Sequence, residues 1–198
     1  MSSALAYASG PPFTLADWES LEHDPDGNRV ELIGGHFQVT PAPSYVHQGL
    51  NDELRLVLRQ ALRAEGRSDL FAVSGIGVSL FEGMGFIPDI SVLQAQRDGT
   101  VKVEAAEVLL AVEIVSPRTR KDDRMIKPDA YAQAGVPFYW RVEPIPGDPP
   151  TILCFELTNG VYVKSCVVES GVPATVKAAP VPVDLDVDVL YDLVFGGA

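Results

Sequence analysis

The 198-residue chain is 46% hydrophobic and carries 15 lysines and arginines against 27 aspartates and glutamates, a formal charge of −12. That length and apolar share suffice for a core without staples and suit one domain spanning 1–198. The acidic balance excludes a surface that binds nucleic acid or anionic membrane over its whole extent, so any phosphate-facing patch must be local. The apolar run VLLAVEIV (108–115) falls far short of the roughly 20 residues that span a bilayer, and it holds a glutamate. The start, MSSALAYASG, lacks the basic n-region and the long apolar stretch of a secretory signal, so a cytoplasmic protein is expected, with residues 1–12 as a flexible lead-in.

FTLADWESLEH places Phe13 as a staple, Thr14 as N-cap and Asp17 three residues on, a capping box with the shorter acid. It predicts a short helix to about His23. RVELIGGHFQV alternates across Gly34-Gly35, a hairpin with Val30, Leu32, Phe37 and Val39 on one face and Glu31 beside Gln38 on the opposite, polar face. Beyond a Pro41/Pro43 linker, Ser44 caps a long helix to about Glu65, with Leu50, Leu54, Val57, Leu58, Ala61 and Leu62 as its buried stripe and Gly66 as its stop. LFAVSGIGVSLF reads as a strand bent at its glycines, and FIPDISVL, across the Gly83-Met84-Gly85 turn, as a second strand.

VLLAVEIVS is apolar without alternation, the pattern of a strand covered on both faces at the centre of a sheet. A short helix ending before Gly135, the strand PFYWRVE, a hairpin of ILCFEL and VYVKSC turned at Asn159-Gly160, and helical character from Asp188 to Val194 complete the order. Without a steady βαβ rhythm, these elements predict an α/β or α+β fold, a mixed and twisted sheet flanked by helices with additional β-hairpins. If Thr158 pairs with Val161, Cys154 sits opposite Ser165 and Cys166 points to the other face, so no disulfide is expected. Two packed thiols fit a reducing compartment, and without CxxC spacing they give no metal signature.

Asp89 and Glu113 each sit in an apolar, strand-like run. An unpaired buried carboxylate is costly or loses its charge, so both call for partners. A divalent cation is one answer, because Mg²⁺ is held by one or two carboxylates, waters and substrate phosphate oxygens. A turn to cap, or an arginine to pair with, is another for either acid alone, and both answers stay open here. Downstream, SPRTRKDDRMIK holds Arg118, Arg120, Lys121, Arg124 and Lys127, five of the chain's 15 basic residues. It reads either as a phosphate-facing, substrate-binding loop or as a solvated loop balanced by Asp122 and Asp123. Arg55, Arg59, Arg63 and Arg67 recur every four residues along and just past the long helix, either a phosphate track or a solvated face. Tyr131, one turn beyond Lys127, is expected against its stem, and Tyr139 and Trp140 in the core.

The ordered series RVELIGGHFQV, PSYVHQ, FIPDISVL, LLAVEIVSPRTRKDD, Lys127 and YAQAGVPFYWRVEP resembles the Uma family, a nuclease branch of the PD-(D/E)xK, restriction-endonuclease-like superfamily, from about Thr14 to the C-terminus. The resemblance implies a restriction-endonuclease-like fold and Mg²⁺-dependent hydrolysis of phosphodiester bonds in nucleic acid, with Mn²⁺ as substitute metal and DNA the expected substrate. It also implies a homodimer. Residue by residue, Asp89 is the Pro-Asp acid, Glu113 the second metal-binding acid, and the Ile114 carbonyl a further ligand. The superfamily's usual lysine slot holds Val115, and the lysine of Uma-type sequences matches Lys127. Glu31 and His47 also match and complete the catalytic set. Because the residue before a proline is pushed out of helical geometry, the following helix is expected to begin at Pro128, with Lys127 at its entrance. The alternative function is a non-catalytic member of the fold that binds or assembles, which Val115, Pro128 and the net charge favour.

Overall fold

The computed structural model describes residues 12–21, 28–40, 42–94, 99–117 and 119–196. The lead-in before Pro12, residues 22 and 23 at the expected end of the first helix, Pro41 and Arg118 lie outside them, and that helix stops earlier than expected, at Glu19 with Ser20 as its C-cap. Helix α1 (Leu15–Glu19) starts at the expected box, with Asp17 N–H donating to Thr14 Oγ1 at 3.0 Å and Thr14 N–H to Asp17 Oδ2 at 2.8 Å. The hairpin of β1 (Arg29–Ile33) and β2 (His36–Thr40) pairs Val30 with Val39 and Leu32 with Phe37, so these four share a face as expected. Gly34 and Gly35 take φ of 59° and 77°, values that a two-residue turn needs and glycine adopts freely. Helix α2 (Tyr45–Ala64) is capped by Ser44, buries Leu50, Leu54, Leu58 and Leu62, and closes at Gly66 with Arg67 N–H donating to Leu62 O at 2.9 Å.

The next two runs correct the expectation. LFAVSGIGVSLF divides into β3 (Leu70–Ser74) and β4 (Gly77–Phe81), and FIPDISVL spans the end of β5 (Met84–Phe86) and most of β6 (Ile90–Gln94). After them come β7 (Lys102–Glu104), β8 (Val108–Ile114), α3 (Lys127–Gln133), β9 (Phe138–Ile145), β10 (Asp148–Thr158), β11 (Val161–Val168), the small pair β12 (Ala174–Val176) and β13 (Val183–Leu185), and α4 (Val187–Phe195). One sheet runs β2-β1-β5-β4-β7 and a larger one β11-β10-β9-β8-β6-β3. Within these two runs the chain therefore changes sheets twice, at Gly75-Ile76 and again between Ile87 and Asp89. At the second crossing Pro88 has no N–H to give a ladder, so neither strand extends through it.

Strand β8 lies inside the larger, mixed sheet, parallel to β9 and antiparallel to β6. Leu110, Val112 and Ile114 pack in one core with the leucines of α2, while Val108 and Ala111 pack in another with Phe86, Tyr131 and Tyr139. Its unbroken hydrophobicity is thus that of a strand covered on both faces. The two tryptophans divide between the sheets. Trp18 lies flat on the smaller one, where a Cβ at Gly85 would come within 2.5 Å of its ring, and Trp140 sits in the core of the larger. Among the described residues no helix is long and apolar enough to cross a membrane.

Hairpin β10–β11 turns at Asn159 and Gly160 and pairs Thr158 with Val161, as expected. Further along, Phe155 opposes Lys164 but Cys154 opposes Cys166, because Ser165 is an extra, bulged residue. The cysteines therefore face each other across the ladder rather than pointing to opposite faces, and both thiols are free.

Candidate active site

The crossing between β5 and β6 delivers Asp89, 3% exposed, to the seam of the two sheets. Its Oδ1 accepts from Arg29 at 2.5 Å, while Oδ2 accepts the Ile114 N–H at 2.7 Å and faces His47 Nε2 at 3.1 Å. Burial alone would push this carboxyl up, but the hydrogen bond and charge of His47, with Arg29 and Lys127, outweigh it and hold it at about 2. Glu113, at the buried end of β8, accepts from Tyr131 Oη at 2.7 Å on Oε1 and from Lys127 Nζ at 3.1 Å on Oε2. Burial raises its carboxyl well above the usual range; Lys127 opposes this and Asp123, Asp89 and Glu31 add to it. One acid is thus held ionised and its neighbour is pushed toward the protonated form. Glu31, on the hairpin face opposite Val30 and Leu32, is buried against the site rather than solvated, and its Oε1 accepts the Ile87 N–H at 2.9 Å.

Lys127 is the centre of the cluster, with Nζ 3.1 Å from Glu113, 3.2 Å from Glu31 and 3.3 Å from Asp123. Burial would lower its pKa, and the surrounding Glu113, Glu31, Asp123 and Asp89 raise it well above the ordinary value. The expectation that helix begins only at Pro128 is corrected: Lys127 has φ −63° and ψ −46°, inside a helical run that includes a π turn over Asp122–Ile126. Its N–H donates to Asp122 O, so the missing Pro128 donor falls where the ladder changes from π to α spacing, the place where a helix loses least by it. The run turns Asp123 and Lys127 to the cavity, with Tyr131 buried behind them on Glu113. Asp123 is 1% exposed, and burial, opposed by Lys127, lifts its carboxyl to about 6.

Against known families, the model described as "Putative restriction endonuclease", Uma2, matches residues 15–188. The chain belongs to the Uma2 family. Among solved structures, the crystal structure of "a putative nuclease belonging to DUF820" from Anabaena variabilis ATCC 29413 superposes with a TM-score of 0.70 at 18% identity, covering 92% of this chain and 99% of that one. At that identity the likeness speaks for the fold, a mixed α+β architecture of the kind the sequence implied. A comparison with curated proteins finds no match.

In this Uma2 chain, Glu31, His47, Asp89, Glu113, Ile114 and Lys127 line one cavity of about 350 Å³. The basic loop is not gathered with them. Arg120 and Lys121 are exposed and away from the cavity lining, Arg124 points to the other side of its helix and grips Glu143 at 2.6 and 2.9 Å, and Arg118 lies outside the described residues. Sequence reasoning missed Arg29 and Asp123, both lining the cavity, and the Tyr131 bond to Glu113. Two positions before Glu31 on the same strand, Arg29 shares its face, and Asp123 stands four before Lys127, so both carried a periodic signal.

The donor set of this Uma2 site fits a hard divalent cation in its chemistry. Asp89 takes three donors and Glu113 two, which leaves acceptor capacity on each carboxylate. Among the described residues no three acids, histidines or cysteines stand together as a ready cage, because the acids are arranged around Lys127.

Proposed function

We propose that the protein is a metal-dependent nuclease that hydrolyses phosphodiester bonds of DNA, using the cavity between the two sheets. The observation that carries this reading is the meeting of an ionised Asp89 with the carboxyl groups of Glu113 and Glu31 and a buried lysine in one solvent-reached cavity of a Uma2 chain. Asp89, Glu113 and the Ile114 carbonyl are the groups that would hold Mg²⁺, which when bound lowers the pKa of a water and offsets charge on the phosphate. Arg29, His47 and the Ile114 N–H lock the Asp89 carboxylate in one orientation. Tyr131 does the same for Glu113. Lys127, charged and desolvated, is placed to donate to a phosphate oxygen, where a fixed cation in a low-dielectric site stabilises developing charge more than water does. We place the protein in the cytoplasm, a compartment that suits its two free thiols.

A second reading, a non-catalytic member of the fold, is favoured by one observation: Lys127 and Arg29 already compensate the acids, so the cluster stands without an ion. Calorimetric titration of Mn²⁺ into wild type, Asp89→Asn and Glu113→Gln, paired with cleavage of a broad DNA panel, separates the two. The nuclease reading expects binding in wild type, its loss in both folded variants, and cleavage reduced by at least about 100-fold. Wild type that takes up no Mn²⁺, with or without DNA, and cuts nothing leaves the second reading.

A further inference from the structure

Helix α2 begins in the active-site cavity and leaves it along the open edge of the larger sheet. Ser44 and His47 line the cavity. One turn on, Asn51, 5% exposed, exchanges hydrogen bonds of 3.2 and 3.3 Å with Ser74 Oγ at the end of β3, the edge strand. Ser74 is paired with Ile90, the residue after Asp89, so this bond fixes α2 against the end of β3 nearest the acids. From there Arg55, Arg59 and Arg63 follow in steps of four, about 6 Å of rise each. Arg59 and Arg63, joined by Arg67 just beyond the helix, line a cleft of about 190 Å³ with Leu70 and Ala72 of β3.

A solvated helix face in so acidic a chain would pair these arginines with carboxylates. Arg55 has only Asp52 at 3.8 Å, and Arg67 is paired with Asp69 at 2.8 Å. Among the described residues, Arg59 and Arg63 have no carboxylate within ion-pair distance. Like charges four apart weaken a helix, so the stripe opposes the folding of the element that carries it. The exposed edge of β3 adds unpaired backbone donors beside it. Resting on the nuclease reading, we propose that the α2–β3 edge is the track on which a DNA strand runs out of the catalytic cavity, its phosphates meeting Arg55, Arg59 and Arg63 in turn.

The track has a length. From His47 to Arg63 the helix rises about 24 Å, so DNA extending fewer than about seven base pairs beyond the scissile bond cannot reach the last arginine. The test measures anisotropy of labelled duplexes across a salt series, in EDTA, and cleavage of duplexes with arms of roughly 4 and 12 base pairs, for wild type and the Arg55→Gln/Arg59→Gln/Arg63→Gln triple variant. The expected result is a salt slope lowered by about 2 to 3, KM raised about 10-fold or more for the long arm and distinctly less for the short arm, which reaches Arg55 alone, with kcat unchanged. A triple lysine variant should restore the slope. If affinity, slope and long-arm KM all match wild type, the track is wrong while cleavage keeps the nuclease reading standing; if wild type neither binds nor cuts any duplex, both fall together.

Discussion

Helix α2 and the helical run that ends in α3 both send side chains into the same cavity, and they are built in contrasting ways. The first spans 20 residues, opens on a serine cap, buries one leucine stripe and closes on a positive-φ glycine. The second opens without a side-chain cap, widens into a π turn, carries a proline near its α start, and buries a lysine and an aspartate. In α2 local rules and global packing agree. In the other run the local rules are broken, and what offsets the cost is the set of contacts among Lys127, Glu31, Glu113 and Asp123. A helix of the first kind positions His47 at its rim, and one of the second kind supplies the charge at the centre.

That contrast can be broken by substitution. The largest effect is expected from Lys127→Met, which keeps the stem and removes the charge that three buried acids share. It should cost about 3 to 5 kcal/mol at neutral pH in chemical denaturation, less at pH 5, where Asp123 and Glu113, both raised by burial, take up protons. An unchanged midpoint would show that the cluster does not depend on its cation. Next comes Asp123→Asn. The folded-state pKa of Asp123, about 6, lies above its ordinary 3.8, so the stability it contributes is full below about pH 4 and is lost as pH rises through 6. Wild type should lose up to roughly 3 kcal/mol from this group between pH 4 and 7, and the asparagine variant should lack that fall. Parallel stability–pH curves for the two proteins would contradict it. The smallest effect belongs to the regular helix: Ser44→Ala, which removes the cap on the His47 N–H, should lower stability by about 1 kcal/mol without altering its pH dependence.

The same contrast explains what could be read in the sequence. The β1–β2 hairpin, α2 and the β10–β11 turn were legible because period, cap and turn residues act within a few positions. The division of FIPDISVL between sheets was not, since Pro88 marks a break but the pairing of β5 with β1 and of β6 with β8 is decided by residues far along the chain. Nor was the π turn, where the rule for a residue before proline pointed the other way. At the site, Asp89 and Glu113 stood out as acids in apolar runs, and each proved to have the arginine, lysine or histidine that burial demands. Lys127 was reached only through the family pattern. Asp123 was hidden by its setting in a charge run that looked solvated, and Arg29 by its place at the edge of a hairpin whose polar face looked outward.

The paired placement of Trp18 and Trp140 has an optical consequence. With two indoles in the whole chain, one packed on the smaller sheet and one in the core of the larger, each half of the fold carries its own emitter. Replacing either by phenylalanine leaves a single-colour reporter of the other half, and the seam that holds the acids lies between them. Fluorescence during a melt then tells whether that seam opens before the sheets do or only with them.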